Sequence, residues 1–148
     1  RGEPVKQAAE CMVDIRIAAH IPEKYIWNLS QRIDVYKKIA SVQSQEDAMD
    51  VIDELIDRFG EPPAAVKGLV DVALVRNTAA QLGITEIRER DDSIILYLTQ
   101  INLQNASNLA SRLKGRVLVN AGAKPYISVK MKKGEDSLST IREVLANM

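Results

Sequence analysis

Apolar and polar positions alternate at the start of the chain and then change period. Val13, Ile15, Ile17 and Ala19 alternate with Asp14, Arg16, Ala18 and His20, the two-residue repeat of a half-buried strand, and Ile21-Pro22 ends it. Proline is tolerated in a first helical turn, so Glu23 to Trp27 reads as a short turn of helix. From there the period lengthens. Leu29, Ile33, Tyr36 and Ala40 recur at helical spacing behind a capping Asn28. Ser44 followed by Asp47 resembles a capping box with the shorter acid. Ala48, Ile52, Leu55, Ile56 and Phe59 then form one apolar face, which places Leu55, Ile56 and Phe59 in the core, and Gly60 supplies the stop. Tyr36 is expected in the core with its hydroxyl near the surface. The next helix starts near Pro62-Pro63 and runs to Leu82. Val66, Leu69, Val70, Ala73 and Ala80 line one side, and Val72, Val75, Ala79 and Leu82 the other, so it is buried or sandwiched.

The second half favours strands. Ile84 to Arg90 and Ile94 to Thr99 flank Asp91-Asp92-Ser93, a hairpin turn by composition. Ala106, Leu109, Ala110 and Leu113 suggest a short helix closed by Gly115. Arg116 to Asn120 and Tyr126 to Met131 are two further strands, and Ser137 caps a last helix with Leu138, Ile141, Leu145 and Met148 inward. The predicted class is α+β: a helical subdomain near 28–82 packed with a small, mostly antiparallel, strand-rich subdomain near 84–148. Residues 13–148 form a single domain, with 1–12 as a linker or arm. The strand at 13–19 is expected to join a sheet.

Composition narrows the function classes. At 148 residues the chain can bury a full core. Aromatics are only 4%, which argues against an aromatic stacking platform for nucleic acid. One cysteine, Cys11, excludes an internal disulfide and suggests a reducing compartment; it is placed in the arm as an inert thiol. No apolar run reaches the ~20 residues needed to span a bilayer. Arg1-Gly2-Glu3-Pro4 is not a signal peptide, and the lack of an initiator Met suggests an excised piece of a larger protein.

Catalytic parts are scarce. His20 is the only histidine, so zinc would need carboxylates for most of its ligands, and no Cys/His nucleophile pair is in view. No G-x-G-x-x-G, Walker A or G-x-S-x-G pattern occurs. Asp91-Asp92 is explained by turn chemistry. The expectation is no enzyme, no cofactor and no metal.

Net charge is zero, yet the charges are segregated. Residues 46–92 carry five basic and twelve acidic side chains, whereas 93–134 carry seven basic and no acidic ones. Such asymmetry concerns partners rather than fold. Arg112, Lys114, Arg116, Lys124, Lys130, Lys132 and Lys133 could neutralise phosphates, which makes a nucleic-acid-binding module using segment 112–133 an alternative reading. Ordinary solvated charge, paired within the chain, is the competing one.

The acids are the sharper signal. On a helical wheel Glu46, Asp47, Asp50, Asp53, Glu54 and Asp57 fall in an arc of about 120°, with only Arg58 near them. Their i,i+4 like-charge pairs should each cost about 0.2–0.5 kcal/mol. Asp53, Glu54 and Asp57 also lie toward the end of the helix that the dipole makes unfavourable for acids. Either the face is merely solubilising or it docks a basic partner surface. Arg58 can cap the helix end, pair with Glu54, or reach a partner.

Three blocks carry a resemblance. Ile21-Pro22-Glu23-Lys24-Tyr25-Ile26, then Arg32-Ile33-Asp34-Val35-Tyr36-Lys37-Lys38-Ile39-Ala40, then Glu54-Leu55-Ile56-Asp57-Arg58-Phe59-Gly60-Glu61-Pro62-Pro63 resemble, in order and spacing, the C-terminal (TRCF) domain of the bacterial transcription-repair coupling factor family. The resemblance covers roughly residues 13–99. Trp27 and Ser30 depart from the family's frequent Pro and Asn. It implies an accessory, non-catalytic module of a cytoplasmic, ATP-driven DNA translocase that engages stalled RNA polymerase and recruits UvrA in excision repair. It further implies an autoinhibitory clamp: this domain docks on the N-terminal module of the same protein and hides its UvrA-binding surface. Carried over by position, the contact acids are Glu54 and Asp57, with Arg58 beside them. Replacing both acids with Ala is expected to leave the domain folded and slightly more stable.

Overall fold

A computed structural model of the chain describes residues 11–148. Contacts divide it into two compact units: residues 16–77, and the described part of 1–15 together with 78–148. The division falls inside one helix.

Residues 16–77 hold three helices: α1 (Leu29–Ala40), α2 (Gln45–Phe59) and most of α3 (Ala64–Gln81). Local chemistry starts each of the first two. Asn28 accepts from the Gln31 N–H at 2.9 Å. The Ser44 hydroxyl accepts from the Asp47 N–H, one of the otherwise orphaned donors of α2, while the Asp47 carboxylate reaches back past the cap to accept from the Gln43 N–H at 3.0 Å. At the far end Gly60 takes φ 87°, open to glycine without strain, and its N–H closes on the Ile56 carbonyl.

The core of this unit corrects the expected face of α1. Val35 and Ile39, with Val42 beyond the helix, are buried among Ala48, Val51, Leu55, Val66, Val70 and Ala73. Leu29, Ile33 and Tyr36 lie 62%, 44% and 38% exposed, and Ala40 is exposed too. Two apolar stripes run along α1 at the same period, and periodicity alone does not rank them. The Val35-Ile39-Val42 stripe is the one that α2 and α3 cover, and the other is left outside. Tyr36 still has a buried task, since its hydroxyl accepts from the Ile21 N–H at 2.8 Å. Ile56, expected inside, is 40% exposed, and Val51 takes its place in the core.

The expected strand at 13–19 is also shorter. β1 is Met12–Asp14. Beyond Ile15 the chain stays alternating but runs along α3: the His20 N–H donates to the Ala65 carbonyl, and a Cβ on Gly68 would meet the Ala18 carbonyl at 2.5 Å. Extended backbone pressed against a glycine of a helix shows the same two-residue alternation as a sheet strand.

The other unit contains a five-stranded sheet of order β1-β2-β3-β5-β4, with β2 (Ile84–Arg90), β3 (Ser93–Leu98), β4 (Val117–Asn120) and β5 (Tyr126–Lys130). Only β1–β2 is parallel, and the other pairings are antiparallel. The β2–β3 hairpin turns on Asp91-Asp92, with Asp91 at φ 56°, a region Asp tolerates. α4 (Leu103–Arg112) and α5 (Ser137–Ala146) complete the unit. Buried Ile87, Ile94, Leu96, Ile127 and Val129 share one sheet face, and Leu109, Leu113, Leu138, Ile141 and Val144 are buried with them. Asp136, rather than Ser137, caps α5; buried Ser137 instead donates to the Glu89 carboxylate. Val144 rather than Leu145 is the deeper residue of the last turn. The proposed arm of residues 1–12 does not extend to its stated end, since Cys11 is buried and Met12 is already in β1, while residues 1–10 lie outside the described ones. The α+β class read from the sequence is the observed one.

Candidate functional site

The three sequence blocks converge on one corner of the helical unit. Glu54, on α2, accepts from the Lys38 ammonium of α1 at 2.6 Å and from the Arg58 guanidinium one turn on at 3.2 Å. Its carboxyl is thereby held below the usual carboxylate range, first by the Lys38 hydrogen bond, with Arg58 adding to it against the opposing effect of burial. The sequence expectation that only Arg58 offsets these acids is corrected, because the second cation comes from another helix. Arg58 pairs with Glu54, one of the three roles open to it. The same guanidinium lies over the Phe59 ring, 4.8 Å from its centroid.

Asp57 differs. It is exposed and makes no hydrogen bond or ion pair among the described residues. Nothing on α2 compensates it, and it sits in the last turn, where the backbone carbonyls disfavour an anion.

The corner beneath is held by Tyr25. Its hydroxyl donates to the Gly60 carbonyl at 2.7 Å, and its ring meets Phe59 at 5.9 Å between centroids. Burial, then the Glu61 charge, raises the phenol pKa. Arg32 fastens the preceding turn by donating to the Ile26 and Trp27 carbonyls. Tyr25 and Lys38 were quoted in the sequence blocks without a role. The signal available was the co-occurrence of the blocks, since each supplies one side of the same corner. On the α1–α2 side a groove of about 320 Å³ is lined by Lys38, Ser41, Val42, Asp47, Asp50, Val51 and Glu54.

The basic segment belongs to the other unit and is dispersed. Arg116 is only 15% exposed at its side chain and donates to Glu135 at 3.1 Å, to Glu143 at 3.3 Å and to the Lys130 carbonyl at 2.8 Å. Glu135 is held below its ordinary pKa, first by the Thr140 hydroxyl, with Lys132 and Arg116 adding to it. Lys130 faces Asp92 at 3.7 Å, and Lys124 rests over the Tyr97 ring. Arg112, Lys114 and Lys133 are exposed and make no ion pair among the described residues, and Lys132 is likewise exposed. His20 is exposed, and no group of three or more His, Cys, Asp or Glu is placed to hold a metal ion among the described residues. No helix among them is long and apolar enough to cross a membrane.

Comparison with known proteins bears on this corner. The TRCF domain model matches residues 15–109, which contain all three blocks. Transcription-repair-coupling factors of Staphylococcus aureus strain USA300 and Staphylococcus epidermidis are 34% and 33% identical over 97 residues, 66% of this chain. The chain spans only 8% of the length of either relative. A crystal structure of the C-terminal domain of transcription-repair coupling factor superposes with a TM-score of 0.82, at 20% identity, covering 96% of this chain and 91% of that one. That likeness establishes the fold, and the family match together with the sequence identity establishes the lineage: the chain belongs to the TRCF-domain family of the transcription-repair coupling factors.

Proposed function

We propose that this chain is a non-catalytic regulatory module that docks, through the corner bearing Glu54, Asp57 and Arg58, on the N-terminal module of its parent factor. Docked there, it masks the surface that recruits UvrA. The parent, on this reading, is a cytoplasmic ATP-driven DNA translocase that meets RNA polymerase and DNA through its other parts.

One observation supports this above the rest: a free carboxylate on a fixed corner. Asp57 is exposed and unpartnered among the described residues, while the turn carrying it is tied by Tyr25 to Gly60 and Phe59. A charged group already held in place loses little freedom when a partner binds it. Glu54 is shared between Lys38 and Arg58, so an incoming arginine meets an acid pair with one member free and one partly neutralised. Such a contact is modest and polar, as a clamp that must open requires. A gap of a few kcal/mol between closed and open states is enough.

The test uses the full-length factor. With Glu54→Ala and Asp57→Ala together, UvrA affinity should rise roughly tenfold or more if the closed state dominates at rest, and basal ATPase activity should rise with it. Unchanged UvrA affinity, in a variant whose domain remains folded by circular dichroism, would remove these residues from the clamp.

A further inference from the structure

We propose that the free edge of β4 is a second docking site, independent of the Glu54 corner, which takes an extended acidic peptide segment as an added strand. Among the described residues β4 is the last strand of the sheet and pairs with β5 alone. The phase of its ladder follows from the hydrogen bonds around it. The Lys130 N–H donates to the Arg116 carbonyl, and Val117 stands opposite Val129. In an antiparallel pair bonded and non-bonded positions alternate, so Leu118 and Asn120 bond to β5 whereas Val117 and Val119 turn their N–H and C=O groups outward. The opposite edge of β5 agrees: Ile94–Val129 and Leu96–Ile127 are the pairs facing β3, in phase with the Leu98 N–H on the Pro125 carbonyl.

The edge is bare and apolar. Leu118 is 59% and Val119 40% exposed. Proteins guard such edges with charge or proline on the strand itself, but β4 reads Val-Leu-Val-Asn. The cations lie at its start instead. Arg112, at the end of α4, and Lys114, in the turn before the strand, make no ion pair among the described residues, and the whole stretch 93–134 contains no acid. Outward N–H and C=O groups two residues apart recognise a peptide backbone, side chains on one face of the added strand lie beside Val119 and those on the other beside Leu118, and nearby cations favour acids. A nucleic acid offers no complement to this ladder. Two of the cations once grouped for phosphate binding are already engaged: Arg116 with Glu135 and Glu143, and Lys130 with Asp92.

The probe is a fluorescein-labelled octapeptide alternating valine with aspartate or glutamate, titrated into the 148-residue chain by anisotropy and by amide chemical shifts. Binding should move the Val117, Leu118 and Val119 amides and weaken with salt. The same peptide methylated at every backbone nitrogen should bind roughly tenfold more weakly or worse, because it cannot donate to the edge. Val119→Pro should weaken the unmodified peptide by a similar factor. The N–H it removes points away from β5, so the remaining ladder stays intact. Equal binding of the methylated peptide overturns the proposal. So do amide shifts that avoid β4, displacement of the peptide by an equimolar oligodeoxythymidylate, or a dimer through β4 that the peptide does not dissociate.

Discussion

Each unit of this protein contains an ionic centre in which one charge is shared by two opposite ones. In the helical unit Glu54 lies between Lys38 and Arg58, all with side chains 38–45% exposed. In the sheet unit Arg116 lies between Glu135 and Glu143, at 15%, 19% and 32%. The topologies of charge are mirror images, but the surroundings are not. Arg116 also donates to a backbone carbonyl, and Glu135 accepts from Thr140 as well, so that cluster is a joint of the fold. Glu54 is wet, and one turn away Asp57 has no partner among the described residues. The same residue types therefore serve structure in one place and present charge to solvent in the other, and burial decides which.

Breaking the sheet-side centre should have the largest effect. Arg116→Met takes the cation from two part-buried carboxylates, leaving Glu135 only its bonds from Thr140 and the Lys132 N–H, which should lower the unfolding free energy by about 2–3 kcal/mol in urea denaturation. A loss below ~0.5 kcal/mol would show that Arg116 is as dispensable as a surface cation.

Next comes the corner itself. Tyr25→Phe keeps the ring against Phe59 and deletes only the hydroxyl that donates to Gly60, for an expected loss of about 1 kcal/mol. The hydroxyl donates only while protonated, and its folded pKa is raised, first by burial. Its contribution is thus complete below the ordinary tyrosine range and is lost as pH rises through the folded value. The stability gap between the wild type and Tyr25→Phe should accordingly close in alkali, and a gap independent of pH would contradict the hydrogen bond.

The sequence made the class, most element boundaries and the strand-rich half legible because those rest on local period, caps and turns. Asn28, Ser44 and Gly60 act where their chemistry places them. It misjudged α1 because Leu29-Ile33-Tyr36 and Val35-Ile39-Val42 are equally periodic, and the choice between them is made by neighbouring helices. It overextended the first strand because an extended segment beside Gly68 alternates like a strand. At the candidate site, Glu54 and Asp57 stood out from wheel and dipole arguments. Lys38 as the partner of Glu54, and Tyr25 as the tie beneath the corner, were not legible, since both contacts span sixteen residues or more and nothing local marks them.

The smallest effects sharpen the contrast most, because their signs should differ. Glu54→Gln removes an exposed pair and should cost about 0.5–1 kcal/mol at neutral pH, opposite to the slight gain expected when Arg58 alone was in view. Asp57→Asn removes an unpaired acid that repels Asp53 at i,i+4 and opposes the helix dipole, so it should gain about 0.2–0.5 kcal/mol. The pH dependence separates them further. The pKa of Glu54 is lowered in the folded state, chiefly by Lys38. Its stabilisation is therefore full above the unfolded carboxylate pKa and is lost as pH falls through the folded one. The cost of Glu54→Gln should shrink toward zero on acidification, and also in high salt, where the exposed pair is screened. Chemical denaturation of both variants across that range decides the matter. If both prove neutral, the two acids form one solvated face and the distinction between a held carboxylate and a free one collapses; if the signs split, Asp57 is the residue the fold itself does not need.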